Sequence, residues 1–198
     1  RGKILNVASA SADKLRGNQE LRDLNQALGC GTGKDYKPEN LRYERIVIMT
    51  DADVDGAHIA SLLMTYFYQE MPRLVGDGHL YLAVPPLYRL SQGGETHYAI
   101  DDAERERLMA EVFKNRGKVE VSRFKGLGEM PPAQLKATTM DPRHRVLLRV
   151  FLPDATVPDE ASDAKATARL VEQLMGRKAE LRYKFIQDNA RFVSDIDV

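Results

Sequence analysis

Ile46-Val-Ile-Met-Thr-Asp-Ala-Asp-Val-Asp-Gly56 is the stretch on which the reading of this chain turns. An apolar, β-branched run ends abruptly in carboxylates at every second position, Asp51, Asp53 and Asp55. A long apolar helix pattern then runs from His58 to Val75. In an extended chain, side chains two apart share a side, so the aspartates are expected to gather on one side past the strand end. Like charges that close repel and raise one another's pKa values. A hard divalent cation relieves that repulsion, and carboxylate oxygens suit Mg²⁺. The cluster reads as a metal site at the carboxyl end of a strand, where open α/β sheets carry their ligands.

Two plainer readings compete. Asp-x-Asp-x-Asp-Gly also opens an EF-hand calcium loop, which needs a bidentate glutamate at its twelfth position and a helix in front. Leu62 stands at that position, and Arg45–Met49 is strand-like. A solvated turn, with Asp55 capping the following helix, uses one carboxylate and leaves the others unexplained. A cap and a metal site can coexist.

With 198 residues the chain holds one large domain, or a domain with an appendage, and buries a real core. Its 29 basic and 29 acidic residues cancel, so nucleic-acid binding must come from local patches. The lone Cys30 excludes an intramolecular disulfide and fits a reducing compartment. No apolar run is long enough for a membrane span, and no signal-peptide pattern is present. The opening Arg1-Gly-Lys-Ile-Leu-Asn-Val7 lacks Met and is already apolar, as expected of a fragment of something longer.

Periodicity predicts alternating β and α elements. Lys3–Val7 reads as strand or extended; Ala12–Leu28 as helix interrupted at Gly17; Arg45–Thr50 as strand; Ala57–Val75 as helix. His79–Val84 is a second buried strand, halted by Pro85-Pro86, and Leu87–Leu90 with His97–Ile100 suggests a hairpin. Asp101 begins a helix with Glu104 as its capping partner. Val119–Phe124 and Arg145–Leu152 are further strands, with a helix after Pro131-Pro132 between them. From Ala161 the pattern is helical and charged, broken at Gly176. The unit spanning 45–84 predicts a parallel strand pair with a right-handed crossover.

Two glycine-rich stretches carry chemistry in other proteins. Gly29-Cys-Gly-Thr-Gly-Lys34 lacks a Walker loop's first glycine and its final Ser or Thr, since Leu28 and Asp35 occupy those places. It reads as a connecting loop. In Arg123-Phe-Lys-Gly-Leu-Gly-Glu129, Gly126 and Gly128 let backbone approach a ligand, and Arg123 and Lys125 bring positive charge. Ligand loop and plain turn remain equally open there on chemistry alone.

Arg1-Gly-Lys-Ile-Leu-Asn-Val7, Thr50-Asp-Ala-Asp-Val-Asp-Gly-Ala-His-Ile59, Pro85-Pro-Leu-Tyr88 and Phe124-Lys-Gly-Leu-Gly-Glu-Met130, taken in order, resemble the B subunit of bacterial type IIA topoisomerases. Thr138-Thr-Met-Asp-Pro142 and the ending Asp195-Ile-Asp-Val198 look like the same family. The resemblance covers the whole chain and implies an α/β fold: a TOPRIM, Rossmann-like parallel sheet flanked by helices, with a smaller helical tail. The expected limits are 1–152 for the TOPRIM domain, including a hairpin and helix insertion over about 91–118, and 153–198 for the tail. The short Arg89–Arg123 separation is similar to topoisomerase IV or an insertion-free gyrase, and the reading leans to the former.

The resemblance also implies a mechanism. A tyrosine of the A subunit attacks double-stranded DNA, and Mg²⁺ offsets charge on the phosphate oxygens. Asp51 would position one metal together with a glutamate from a Glu-Gly-Asp-Ser motif that these residues do not contain, and Asp53 and Asp55 would hold a second. Arg1, Lys3, Gln19, Glu20, Lys125 and Glu129 match positions near the DNA or the quinolone pocket, and His58 would touch DNA phosphate or simply cap and pack. None of the eight tyrosines is expected to be the nucleophile. ATP would bind the full-length protein outside these residues. The expected assembly is a bacterial cytoplasmic A2B2 heterotetramer, and the isolated fragment is expected to be monomeric. Another Mg²⁺-dependent TOPRIM nuclease or primase, or a scaffold that only binds DNA or a partner, are the competing classes.

Overall fold

A computed structural model of the chain describes residues 3–114 and 117–192. Arg1 and the Asp195-Ile-Asp-Val198 ending lie outside the described residues. The architecture is α/β. Strands β1 (Ile46–Ile48), β2 (Leu80–Val84) and β6 (Val146–Arg149) form one sheet in the order β1-β2-β6. Neighbours β1 and β2 are joined through helices α3 (Val54–Glu70) and α4 (Pro72–Gly76), which is the expected strand–helix–strand unit.

Local chemistry sets the helix limits. Helix α1 (Ala12–Gly17) is capped by Ser11, whose hydroxyl accepts from the Lys14 N–H, and α2 (Gln19–Leu28) by Asn18, which accepts from the Leu21 N–H at 2.9 Å. Helix α2 stops at Gly29, whose φ of 75° is the left-handed conformation of a helix C-terminus. The helix expected to run unbroken over Ala57–Val75 is two helices, and it starts earlier. Pro72 lacks an N–H and disfavours helical geometry at Met71, which sits at φ −141°. Lys3–Val7 forms no strand: the Asn6 amide instead donates to the Met175 carbonyl at 2.9 Å.

The chain forms two compact units. The first comprises Arg1–Ile46, His58–Leu80 and Arg149–Val198. Its interior is built from Phe67, Met71, Leu74, Val75, Leu80 and Cys30, all at most 2% exposed. Each large apolar side chain buried this way contributes about 1.5–3 kcal/mol, so the α3–α4 segment carries most of this core. Helices α7 (Ala161–Met175) and α8 (Ala179–Asn189) belong to this unit and make up the helical tail, broken at Gly176 as expected.

The second unit comprises Val47–Ala57 and Tyr81–Leu148. It contains an antiparallel sheet in the order β4-β3-β5, from β3 (Tyr88–Gln92), β4 (Glu95–Ala99) and β5 (Glu120–Arg123). The β3–β4 turn is Gly93-Gly94, both at positive φ, as a tight two-residue hairpin requires. Helix α5 (Asp102–Glu111) is capped by Asp101, which accepts from the Glu104 N–H at 2.7 Å. Glu104 in turn accepts from the Ile100 N–H rather than the Asp101 N–H of a capping box. Tyr88, Leu90, Ala99, Leu108 and Phe113 form the core of this unit. Strand β5 leads straight into the Lys125–Glu129 loop, so the hairpin sheet is what aims that loop.

Candidate metal and nucleic-acid site

Past Ile48 the chain leaves β1, and only Met49–Asp53 separates it from the first residue of α3. The chain is therefore not extended through the aspartates: Asp51 lies in the connection, Asp53 immediately before α3, and Asp55 inside its first turn. Asp53 is the helix cap, with its Oδ1 accepting from the Gly56 N–H at 2.6 Å. Asp55, which the plainer reading makes the cap, is not. A carboxylate at a helix N-terminus also lies favourably against the helix dipole. Gly56 is buried, and a Cβ there would run into the Asp51 backbone. The absence of a side chain lets the first turn of α3 close over Asp51.

Asp51 reaches the second motif. Its Oδ1 accepts from the Leu127 N–H at 2.7 Å, across 76 residues of sequence. Gly126 permits the approach, since a Cβ at that position would stand 3.0 Å from the Asp51 carboxylate. The loop holds its own shape as well: the Lys125 N–H donates to the Glu129 carboxylate at 2.8 Å, and Leu127–Glu129 forms a 3-10 turn. Phe124 and Met130, 9% and 6% exposed, anchor its two ends, and with Ala52, Pro85 and Pro86 they line one small crevice. The motifs read separately in the sequence are thus one piece of structure. The ligand approached by glycine backbone is, in this state, the Asp51 carboxylate.

Asp51, Asp53 and Asp55 are all exposed. Among the described residues, no three carboxylate, imidazole or thiol side chains converge as a metal cage. The donor chemistry nevertheless fits Mg²⁺. Asp51 and Asp53 each commit one oxygen to a backbone N–H and keep the other, and Mg²⁺ binds through one or two carboxylates while keeping several waters. Asp55 follows in the first turn of α3.

The remaining expected residues fall in both units. In the second, Lys125 and Glu129 are exposed on the loop just described. In the first, Lys3, Gln19, Glu20 and His58 are exposed. Gln19 starts α2 and bonds with Asp23 and Arg22. His58, in α3, borders a polar cavity together with Arg177 and Arg182, two residues the sequence reading does not select. Gly29–Lys34 is a connecting loop: Gly31 sits at φ 73°, where a Cβ would strike the Asp35 carbonyl.

Comparison with known proteins places the chain. The Toprim domain profile matches residues 1–83, and the profile for the carboxyl terminus of the DNA gyrase B subunit matches residues 116–187. Across its full length the chain is 60% identical to the DNA topoisomerase 4 B subunit of Caulobacter vibrioides and 54% identical to that of Bartonella bacilliformis. It belongs to the type IIA topoisomerase B-subunit family. The DNA gyrase B subunit of Halalkalibacterium halodurans, also matched over the whole chain, is 47% identical, so likeness within the family runs toward the topoisomerase IV branch. The chain spans 27% and 28% of the length of those two topoisomerase 4 proteins and 30% of the gyrase protein. The Asp51–Gly56 turn falls in the segment matched by the Toprim profile, and the Lys125–Glu129 loop in the segment matched by the gyrase carboxyl-terminal profile.

Proposed function

We propose that this chain carries the Mg²⁺-holding carboxylates of the DNA cleavage and rejoining site of a topoisomerase IV B subunit. It acts with an A subunit, in an A2B2 assembly, on double-stranded DNA for decatenation and relaxation in the bacterial cytoplasm. The observation that carries this reading is the bond from the Leu127 N–H to Asp51, which brings the acidic turn and the glycine loop to one place. Asp51 and Asp53 would hold the metal, with Asp55 beside them. Bound Mg²⁺ would offset negative charge on the phosphodiester oxygens.

The chain's own groups do the positioning. The Leu127 N–H fixes the Asp51 carboxylate, and the α3 cap fixes Asp53. Lys125, on a loop braced by Glu129, supplies positive charge for DNA phosphate. Lys3, Gln19 and Glu20 stand for the DNA- and quinolone-proximal surface of the first unit. The nucleophile is a tyrosine of the A subunit. Tyr66, the most buried tyrosine in α3, is 2% exposed and unsuited to that task.

The test is plasmid cleavage by the full-length protein with its A partner, Mg²⁺ and a quinolone. Asp53→Asn keeps a good helix cap and removes the charge. Linear DNA that falls at least tenfold in Asp53→Asn, with thermal stability unchanged, supports the metal role. Linear DNA at the wild-type level in that variant removes Asp53 from the mechanism.

A further inference from the structure

The first unit contains a cavity of about 480 Å³ whose walls are polar and basic. Asn6, Ser9, His58, Gly176, Arg177 and Arg182 line it. Two separate segments fix it: the Asn6 amide donates to the Met175 carbonyl at 2.9 Å, tying the amino-terminal stretch to the end of α7. Arg177 reaches back the other way, donating from Nε to the Ser9 carbonyl and from Nη2 to the Ala10 carbonyl, both at 3.0 Å. Arg182 donates from Nη1 to the Gly176 carbonyl at 2.5 Å.

Those acceptors are neutral. Among the described residues neither guanidinium is paired with a carboxylate, and the cavity lining includes none. The Glu172 carboxylate is folded against Gly176, and Asp55 lies one turn before His58 in α3. Each guanidinium has five donors; Arg177 spends two on carbonyls and Arg182 one, so both retain N–H groups and full charge. The carbonyl bonds account for only three of the ten guanidinium N–H groups at the wall of this cavity. Guanidinium forks match the oxygens of phosphate, and His58, three residues after Asp55 in the same helix, adds a further donor.

We infer that this cavity seats a backbone phosphate of duplex DNA, held by Arg177 and Arg182 with His58 at its rim. The inference rests on the DNA-processing function proposed above and extends it to a site remote in sequence from the acidic turn. Phosphate contacts position a duplex without reading its sequence, so the site sets affinity and register rather than sequence choice.

The experiment is fluorescence anisotropy of a labelled duplex with this chain, in EDTA so that metal binding does not contribute, across a KCl series. Arg182→Gln and Arg177→Gln are each expected to weaken binding about 3–10-fold and to flatten the log K against log[KCl] slope by about one. Arg182→Lys should restore most of the slope, because it keeps the charge. Circular dichroism confirms that each variant is folded, and His58→Gln gives a second reading without disturbing the carbonyl bonds. Unchanged slopes in folded variants would overturn the inference, and so would a site that answers only to inorganic phosphate in a thermal shift, or to an acidic protein segment. Because EDTA removes the metal, failure here is distinguishable from failure of the cleavage test. Cleavage lost in Asp53→Asn with unchanged slopes sinks only the phosphate site; flattened slopes with intact cleavage sink only the metal assignment.

Discussion

A methyl group at Gly56 would overlap the backbone of Asp51, because the first turn of α3 is laid directly over the residue that carries the first carboxylate. Backbone cannot swing aside as a flexible side chain can, so Gly56→Ala must push the helix start away. The expected cost is about 1–3 kcal/mol, typical of overpacking a close contact. It should appear as a lower urea midpoint with unchanged slope, together with reduced cleavage, since Asp51 and Asp53 both move. A midpoint equal to wild type would show that the turn has slack and that glycine is not required there. Tyr66 allows a second test of the same helix. Burial, and then the nearby Glu70 and Cys30, push its phenol up from 10.0 to about 12. Between those values the unfolded chain has shed its proton while the folded chain keeps it. The folded state then binds more protons, and stability falls as pH rises. The contribution is whole below pH 10 and gone as pH passes 12. Urea midpoints should therefore decline more steeply over that window in wild type than in Tyr66→Phe, and parallel declines would contradict the burial argument.

Elements are legible where local chemistry decides them and illegible where partners far along the chain do. The break at Gly17, the Asp101 cap, the Gly93-Gly94 hairpin and the break at Gly176 all follow from residues within a few positions of each other. Alternation carried through Val54 puts the start of α3 too late, whereas the Asp53 carboxylate already caps a helix there. Hydrophobic pattern alone also joins α3 to α4, although Pro72 forbids it. Strand β5 reads correctly as a strand, but its pairing with β3 is a long-range fact that no window of sequence contains. The π-helical turn over Lys136–Met140 has no local signature that would reveal it. At the site the same division holds. The aspartates announce themselves by spacing, and Gly126 by its motif. The bond that joins them spans 76 residues and is invisible to any local pattern. Arg177 and Arg182 sit in a charged tail whose pattern resembles any solvated helix, and only the cavity sets them apart.

Taken as one molecule, the chain is electroneutral, with 29 acidic and 29 basic residues, so neither self-repulsion nor a net field governs its association. Self-association must then come from exposed apolar surface. On α8, Tyr183 and Ile186 are 63% and 64% exposed and lie three residues apart, hence on one face. Phe151, 64% exposed, and Leu148, 56%, lie at the end of β6 and just past it. A stable homodimer buries at least about 1,000 Å² in total. A pair of side chains on a short helix covers only a fraction of that, and the charged neighbours Lys184 and Asp188 would have to be desolvated along with them. The isolated chain should therefore sediment with the mass of one copy at micromolar concentration. Hydrogen exchange on the full-length protein, with and without the A subunit of the assembly proposed above, would read whether that partner covers the same α8 face. A two-copy mass that persists on dilution would place the two-fold contact within this chain, and would make α8 a surface for self-association instead.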